Sequence, residues 1–181
     1  VARLPDVNRL SLGGGFKIAR MPGEESADLK KIGEALLGDF QAFREEHGRA
    51  LDLEIEPGTF LVANAGAILA NVIDVVDTGP DGYVFAKTDS GMTELLRPNL
   101  YGAQHPIEII QASSNSAEEE IDLVVTGHCC ESGDVLTPGP GDPESLAPRR
   151  LPRPSIGDTC VIGGAGAYCS GLAGKHYNSF P

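Results

Sequence analysis

One stretch of this chain carries a helical repeat, and it is bracketed by two strand patterns. In residues 26 to 49, Leu29, Ile32, Leu36, Leu37, Phe40 and Phe43 recur every three to four positions. That spacing places them on one stripe of a helix. Ser26 is the candidate N-cap and Gly48 the candidate stop. Before the helix, RLSLGGGF (9 to 16) reads as a short strand running into three glycines. After it, Leu51, Leu53 and Ile55 alternate with Asp52, Glu54 and Glu56 as in a strand, and Pro57-Gly58 ends the run. Strand, helix, strand is a βαβ unit with parallel pairing and a right-handed crossover. Two parallel strands cannot stand as a domain. Residues 1–60 are therefore expected to be the last part of a larger α/β domain, with earlier parts outside the given sequence.

From about residue 61 the pattern turns to short β runs. VANAGAILANVIDVVD, a DTGPDG turn and YVFAKTD read as strand, turn, strand. HPIEIIQ, EIDLVVTG and GDTCVIGG follow, which predicts an all-β domain over 61–181. AEEE at 117 to 120 reads as a solvated hairpin turn. Six prolines between Pro138 and Pro154 predict an irregular excursion without regular structure.

Composition narrows the function classes. Among 181 residues, 26 are acidic and 14 basic, for a net charge of −12, which argues against a nucleic-acid partner. No apolar run approaches the ~20 residues that cross a bilayer. The four cysteines, Cys129, Cys130, Cys160 and Cys169, are too sparse for a disulfide scaffold and form no C-x-x-C pair, so no metal site is expected. Free thiols suit a reducing compartment, and the expected location is cytoplasmic.

Several short motifs bear chemistry. Gly13-Gly14-Gly15 at a strand end could bring backbone amides to a phosphate, although no G-x-G-x-x-G is present, and a flexible turn is the plainer alternative. Glu56-Pro57-Gly58-Thr59 lies at the carboxyl end of a parallel strand, where an α/β barrel places its site, and it could equally be an ordinary turn. Arg97 and Tyr101, four apart in RPNLYG, could present a carboxylate-binding fork and a phenol from a tight loop, because Pro98 argues against a helix there. Tyr168 in GAYC could stack on a ligand or simply pack.

In order, GGGF, EPGT, DSGM, RPNLYGAQHP, CCESGD and GAYC resemble the motifs of the pyridoxal-phosphate decarboxylases of the diaminopimelate decarboxylase family, which also includes ornithine and arginine decarboxylases. The likeness runs from Leu10 to Pro181. It implies the C-terminal end of a (β/α)8 barrel followed by a β-sandwich or β-barrel domain, α/β plus all-β. It implies pyridoxal 5'-phosphate as cofactor, an amino-acid substrate and a homodimer with shared active sites. Gly14, Gly15, Glu56, Gly58 and Thr59 would hold the cofactor phosphate, and Tyr168 would touch cofactor and substrate. Arg97 and Tyr101 would bind the substrate's distal end. Cys130 would give a proton in the partner's site, with Glu131 contacting the substrate amine. The reaction class needs such a donor, because the carbanion left when CO2 departs must be protonated on a defined face. Cys129 is assigned to packing.

Two departures qualify the implied activity, which is decarboxylation of meso-diaminopimelate to L-lysine. The family's cofactor-bearing lysine lies in an earlier barrel segment, and Lys17, Lys30, Lys31, Lys87 and Lys175 do not occupy that motif. The chain alone is therefore expected to be inactive, and a non-catalytic dimerisation or binding fragment is a rival reading. The family usually carries arginine where this chain has Thr59, a charge-assisted contact worth about 1.5–3 kcal/mol. D-lysine or D-ornithine, which lack the distal carboxylate, are the alternative substrates.

Overall fold

The computed structural model describes residues 1–112 and 119–179, which fold as two compact units. The first comprises Val1–Ala19 and Gly23–Leu61. Strand β1 (Arg9–Ser11) pairs in parallel with β2 (Asp52–Glu54), in register Arg9 to Asp52 and Ser11 to Glu54. Helix α1 (Leu29–His47) connects them, so the predicted βαβ unit is present. Its cap is Asp28 and not Ser26: the Asp28 side chain accepts from the Lys31 amide at 3.0 Å. The Ser26 hydroxyl instead accepts from the Ala19 amide. Gly48 ends the helix in the left-handed conformation (φ 67°) that its missing Cβ permits. None of the α1 side chains is buried, and Leu37 is 59% exposed. The apolar stripe is the less exposed side of the helix, with Ile32, Leu36, Phe40 and Phe43 half-buried among the described residues. A five-residue helix α2 (Gly58–Val62) follows the EPG turn.

The second unit comprises Arg20–Pro22 and Val62–Pro181. Arg20 joins it through its Nε, which donates to the Gly164 carbonyl at 3.1 Å, a link that a boundary drawn at residues 60 and 61 misses. Six strands form one sheet: β3 (Ile68–Asp77), β4 (Val84–Thr88), β5 (Ile107–Ile110), β6 (Glu120–Thr126), β9 (Arg149–Pro152) and β10 (Thr159–Ile162), in the order β5-β10-β3-β4-β6-β9. The pairings are antiparallel except β4 with β6. Just beyond the two edge strands, Gln111 Nε2 donates to the Arg153 carbonyl at 3.4 Å, so the sheet is nearly closed. Alternate residues point inward. Ala70 and Val72 of β3, Leu123 and Val125 of β6, and Cys160 and Ile162 of β10 fill the core, with Leu95 and Leu136 beside them. The expected α/β plus all-β character is the one found.

Two local expectations fail. Arg97–Tyr101 is a helical turn, α3, with Pro98 in its first turn and Gly102 as a left-handed stop. Proline suits that position because a first-turn N–H has no intrahelical partner to lose. The proline-rich segment is also regular: β7 (Pro138–Gly139) and β8 (Asp142–Leu146) form a hairpin, and β9 closes the main sheet's edge. Pro152 ends an edge strand and Pro138 sits in a two-stranded ribbon, where a missing donor costs little. The turn expected at 117 to 120 falls partly outside the described residues.

Candidate functional site

In the first unit the parallel register carries both strand ends to one place. The Leu12 amide donates to the Glu54 carbonyl at 3.0 Å and the Glu56 amide to the Gly13 carbonyl at 2.8 Å, extending the pairing into the glycines. There the backbones approach so closely that a Cβ on Gly14 would lie 2.4 Å from the Glu56 carbonyl oxygen. Gly13 (φ 69°) and Gly15 (φ 83°) take left-handed conformations. The Glu56 carboxylate is turned aside to accept from the Ser11 hydroxyl at 3.0 Å. Among the described residues, the amides of Gly14 and Gly15 and the hydroxyl of Thr59 have no hydrogen-bond partner. Unpaired amides on alternating backbone conformations form an anion-binding concavity. Gly14, Glu56 and Gly58 are thus brought together, with Gly15 and Thr59 adjoining them in the chain, and donors of this kind fit a phosphate.

The remaining expected residues lie in the second unit. Residues 127 to 134 form a tight loop between Thr126 and Val135, which pair as an isolated bridge. The Gly127 amide donates to the Asp134 carbonyl at 2.9 Å and the Asp134 amide to the Glu131 carbonyl at 3.1 Å. Asn99 of α3 donates from its side chain to the Gly133 carbonyl, anchoring the loop to the helix that carries Arg97 and Tyr101.

The two neighbouring cysteines differ. Cys129 is half-buried, and burial, with the Asp134 carboxylate adding to it, pushes its thiol up to about 11. It stays protonated and uncharged. Cys130 is exposed, and its carbonyl accepts from Asn178 Nδ2 at 3.1 Å. Glu131 accepts from the Tyr177 hydroxyl at 2.5 Å and from the Gly133 amide at 3.0 Å, and these bonds, the phenol's first, hold its carboxyl below the usual range. Accepting donors on both oxygens favours the ionised form. A thiol can give up a proton and a fixed carboxylate can pair with an ammonium group, so the chemistry of the pair suits both tasks.

Arg97 begins α3, half-buried, and its Nε has no partner among the described residues. Tyr101 ends α3 and is 54% exposed. Tyr168 is 64% exposed and takes φ 54°, a strained conformation for a residue with a Cβ. Burial raises the pKa of the Cys169 thiol, and the positive charges of Arg97 and Arg20 oppose it. Neither Cys130 nor Glu131 makes a hydrogen bond to Arg97, Tyr101 or Tyr168 among the described residues.

Sequence reading missed four residues here. Asp134 organises the loop, accepting from the Met92 amide at 2.8 Å and the Cys129 amide at 2.9 Å. Tyr177 and Asn178 reach the loop from 46 and 48 positions downstream, a separation at which no local pattern signals contact. His105 is fully buried, with Nδ1 at 2.9 Å from the Gly163 carbonyl and Nε2 without a partner among the described residues. Among the described residues, no three His, Cys, Asp or Glu side chains are grouped to hold a metal ion, and no helix is long and apolar enough to cross a membrane.

Fold and site together define a β-sheet domain that follows, in sequence, an α/β unit whose two strand ends meet at a glycine-rich turn. Residues 26–166 match the family described as the C-terminal sheet domain of the pyridoxal-dependent decarboxylases, and the chain belongs to that family. It is similar to the diaminopimelate decarboxylase of Escherichia coli K12, with 37% identity over 97% of this chain and 41% of that protein. Among solved structures, one diaminopimelate decarboxylase superposes with a TM-score of 0.87 at 33% identity, covering 96% of this chain and 41% of the other. The Helicobacter pylori diaminopimelate decarboxylase complexed with L-lysine superposes with a TM-score of 0.76 at 30% identity, over 96% of this chain and 37% of the other. The chain thus spans about two fifths of the length of these relatives.

Proposed function

We propose that these residues serve a pyridoxal-phosphate-dependent decarboxylation of a diamino acid, with meso-diaminopimelate converted to L-lysine and CO2. The observation that carries this reading is the Cys130–Glu131 pair: one thiol exposed and free to transfer a proton, its neighbour an anion held by Tyr177 and Gly133. The family and the diaminopimelate decarboxylase relatives support the reaction class. Bound at the amides of Gly14 and Gly15 and the hydroxyl of Thr59, the cofactor would supply the electron sink that decarboxylation requires. The protein's own residues do the rest. Arg97 offers a guanidinium to a substrate carboxylate, Tyr101 a phenol, Tyr168 a ring, Glu131 a counter-charge to an ammonium and Cys130 the proton.

A homodimer with shared sites belongs to this proposal. Cys130, Tyr101 and Tyr168 are all exposed, which suits completion of each site by a second copy. Thr59 supports a second substrate reading, because the arginine that the family usually carries at this position would add a cation for a distal carboxylate, and threonine does not. That reading is decarboxylation of D-lysine or D-ornithine. The test is CO2 release by the complete gene product, with the cofactor added, from meso-diaminopimelate, D-lysine and D-ornithine in parallel. Preference for meso-diaminopimelate removes the second reading, and release from none of the three removes both.

A further inference from the structure

Glu131 has both oxygens engaged from within its own chain. Oε1 accepts from the Gly133 amide at 3.0 Å and lies 3.4 Å from the Ser132 hydroxyl, and Oε2 accepts from the Tyr177 phenol at 2.5 Å. The first two donors belong to the loop's own turn. Tyr177 belongs to a separate segment, and the adjacent Asn178 donates to the carbonyl of Cys130 at 3.1 Å. Two consecutive side chains therefore grip two consecutive residues of the loop. Asn178 holds φ 50° and His176 φ 64°, left-handed conformations that bracket Tyr177. Such conformations persist where surrounding contacts impose them.

We propose that Tyr177, with Asn178, is a positioning residue for the Cys130–Glu131 pair, holding the Glu131 carboxylate as an oriented anion for the substrate's ammonium group; this rests on the functional reading above. The phenol makes no contact with substrate in this role. It acts through Glu131, restricting the carboxylate to one rotamer and satisfying the oxygen that would otherwise turn to water. Other titratable groups around Glu131 are His128, Cys129, Cys130 and Asp134 on the loop, Lys87 of β4 on the adjoining cleft, and Glu144 on β8. The lowering of its pKa comes first from the Tyr177 phenol, then from the Gly133 amide, with Ser132 adding to them and desolvation opposing.

The test compares wild type, Tyr177→Phe and Glu131→Gln in the complete, cofactor-loaded gene product. Tyr177→Phe removes one oxygen and should keep the melting temperature and cofactor absorbance. Losing a hydrogen bond to a charged group at a partly exposed site should raise KM for the diamino acid roughly three- to tenfold, with kcat changed less. The acid limb of kcat/KM should move to higher pH, because Glu131 protonates more readily without its donor. Combining both substitutions should add little to Glu131→Gln alone. Independently of turnover, the Glu131 carboxyl carbon, assigned by NMR from its absence in Glu131→Gln, should titrate at higher pH in Tyr177→Phe. An active wild type with unchanged KM and an unmoved carboxyl titration in Tyr177→Phe overturns the positioning role alone. A folded, cofactor-loaded wild type that decarboxylates no diamino acid overturns the functional reading, and the proposed role toward substrate falls with it.

Discussion

Asp134 and Cys129 are tied twice, by the backbone and by the side chain. The Cys129 amide donates to Asp134 Oδ2 at 2.9 Å, and the carboxylate also helps to raise the thiol's pKa to about 11. Oδ1 takes the Met92 amide at 2.8 Å, so one buried carboxylate joins two loops. Space for it is made by glycine: a Cβ on Gly127 would lie 2.2 Å from Oδ2 and one on Gly91 2.5 Å from Oδ1. Replacing Asp134 by Ala strands two amides, at about 1–3 kcal/mol each. Urea unfolding should show that loss. Asp134→Asn keeps the shape and removes the charge, so the Cys129 thiol pKa should fall from about 11 while staying above the usual value, because burial is the larger cause. Alkylation rate against pH, measured on a Cys130→Ser background, reads this directly.

His105 makes the β-domain acid-sensitive. Burial lowers its pKa to about 4, with the guanidiniums of Arg20, Arg97 and Arg149 acting in the same direction and the Gly163 carbonyl opposing. The unfolded chain binds a proton near the ordinary value of 6.5, whereas the folded chain refuses it until about pH 4. Protonation therefore favours unfolding as pH falls through that window, and the contribution is intact above it. Over the whole interval the loss amounts to about 3 kcal/mol. Between pH 7.5 and pH 5 about 2 kcal/mol of this should be lost, seen as a lower denaturation midpoint at pH 5, and His105→Gln should flatten the difference.

The glycine cradle depends on close backbone approach. Gly14→Ala would force its methyl against the Glu56 carbonyl oxygen, 2.4 Å away, and must part the ends of β1 and β2. Overpacking of this kind costs about 1–3 kcal/mol. If the amides of Gly14 and Gly15 hold the cofactor phosphate as proposed, displacing them should weaken that hold. Pyridoxal-phosphate affinity, followed by fluorescence, should weaken in Gly14→Ala and survive in Gly33→Ala, where a Cβ meets no neighbour within 4 Å.

What could be read in the residues follows from how locally each feature is determined. The α1 stripe and the Gly48 stop are local, and both stand in the fold. Its cap was misplaced by two residues because Ser26 and Asp28 have similar capping chemistry, and the Lys17–Ala27 backbone pairing directs Ser26 to Ala19 instead. Proline misled twice for one reason. At Pro98 and along 138–152, its missing donor falls on a helix's first turn or at a sheet edge, positions that only the tertiary fold defines. The motif residues Cys130 and Glu131 were visible as a pattern, whereas their supports Tyr177, Asn178 and Asn99 come from distant segments.

Cys130 and Cys129 should separate cleanly under substitution. Cys130 is exposed and next to the Glu131 anion, whereas the Cys129 thiol is held protonated beside Asp134. If Cys130 supplies the proton that completes the product, Cys130→Ala in the complete gene product should cut kcat by roughly 10²–10⁴-fold, the usual weight of a positioned acid. Cofactor absorbance and the urea midpoint should stay near wild type, because an exposed side chain leaves no cavity. Cys129→Ala should do the reverse, lowering the midpoint through a stability loss of about 1 kcal/mol from lost packing, while leaving kcat within severalfold of wild type. Product formed in deuterated solvent sharpens the comparison: Cys129→Ala should retain a single deuterated stereoisomer, and Cys130→Ala should yield a mixture as water replaces the thiol. Near-normal turnover with one stereoisomer in Cys130→Ala would place the proton donor elsewhere.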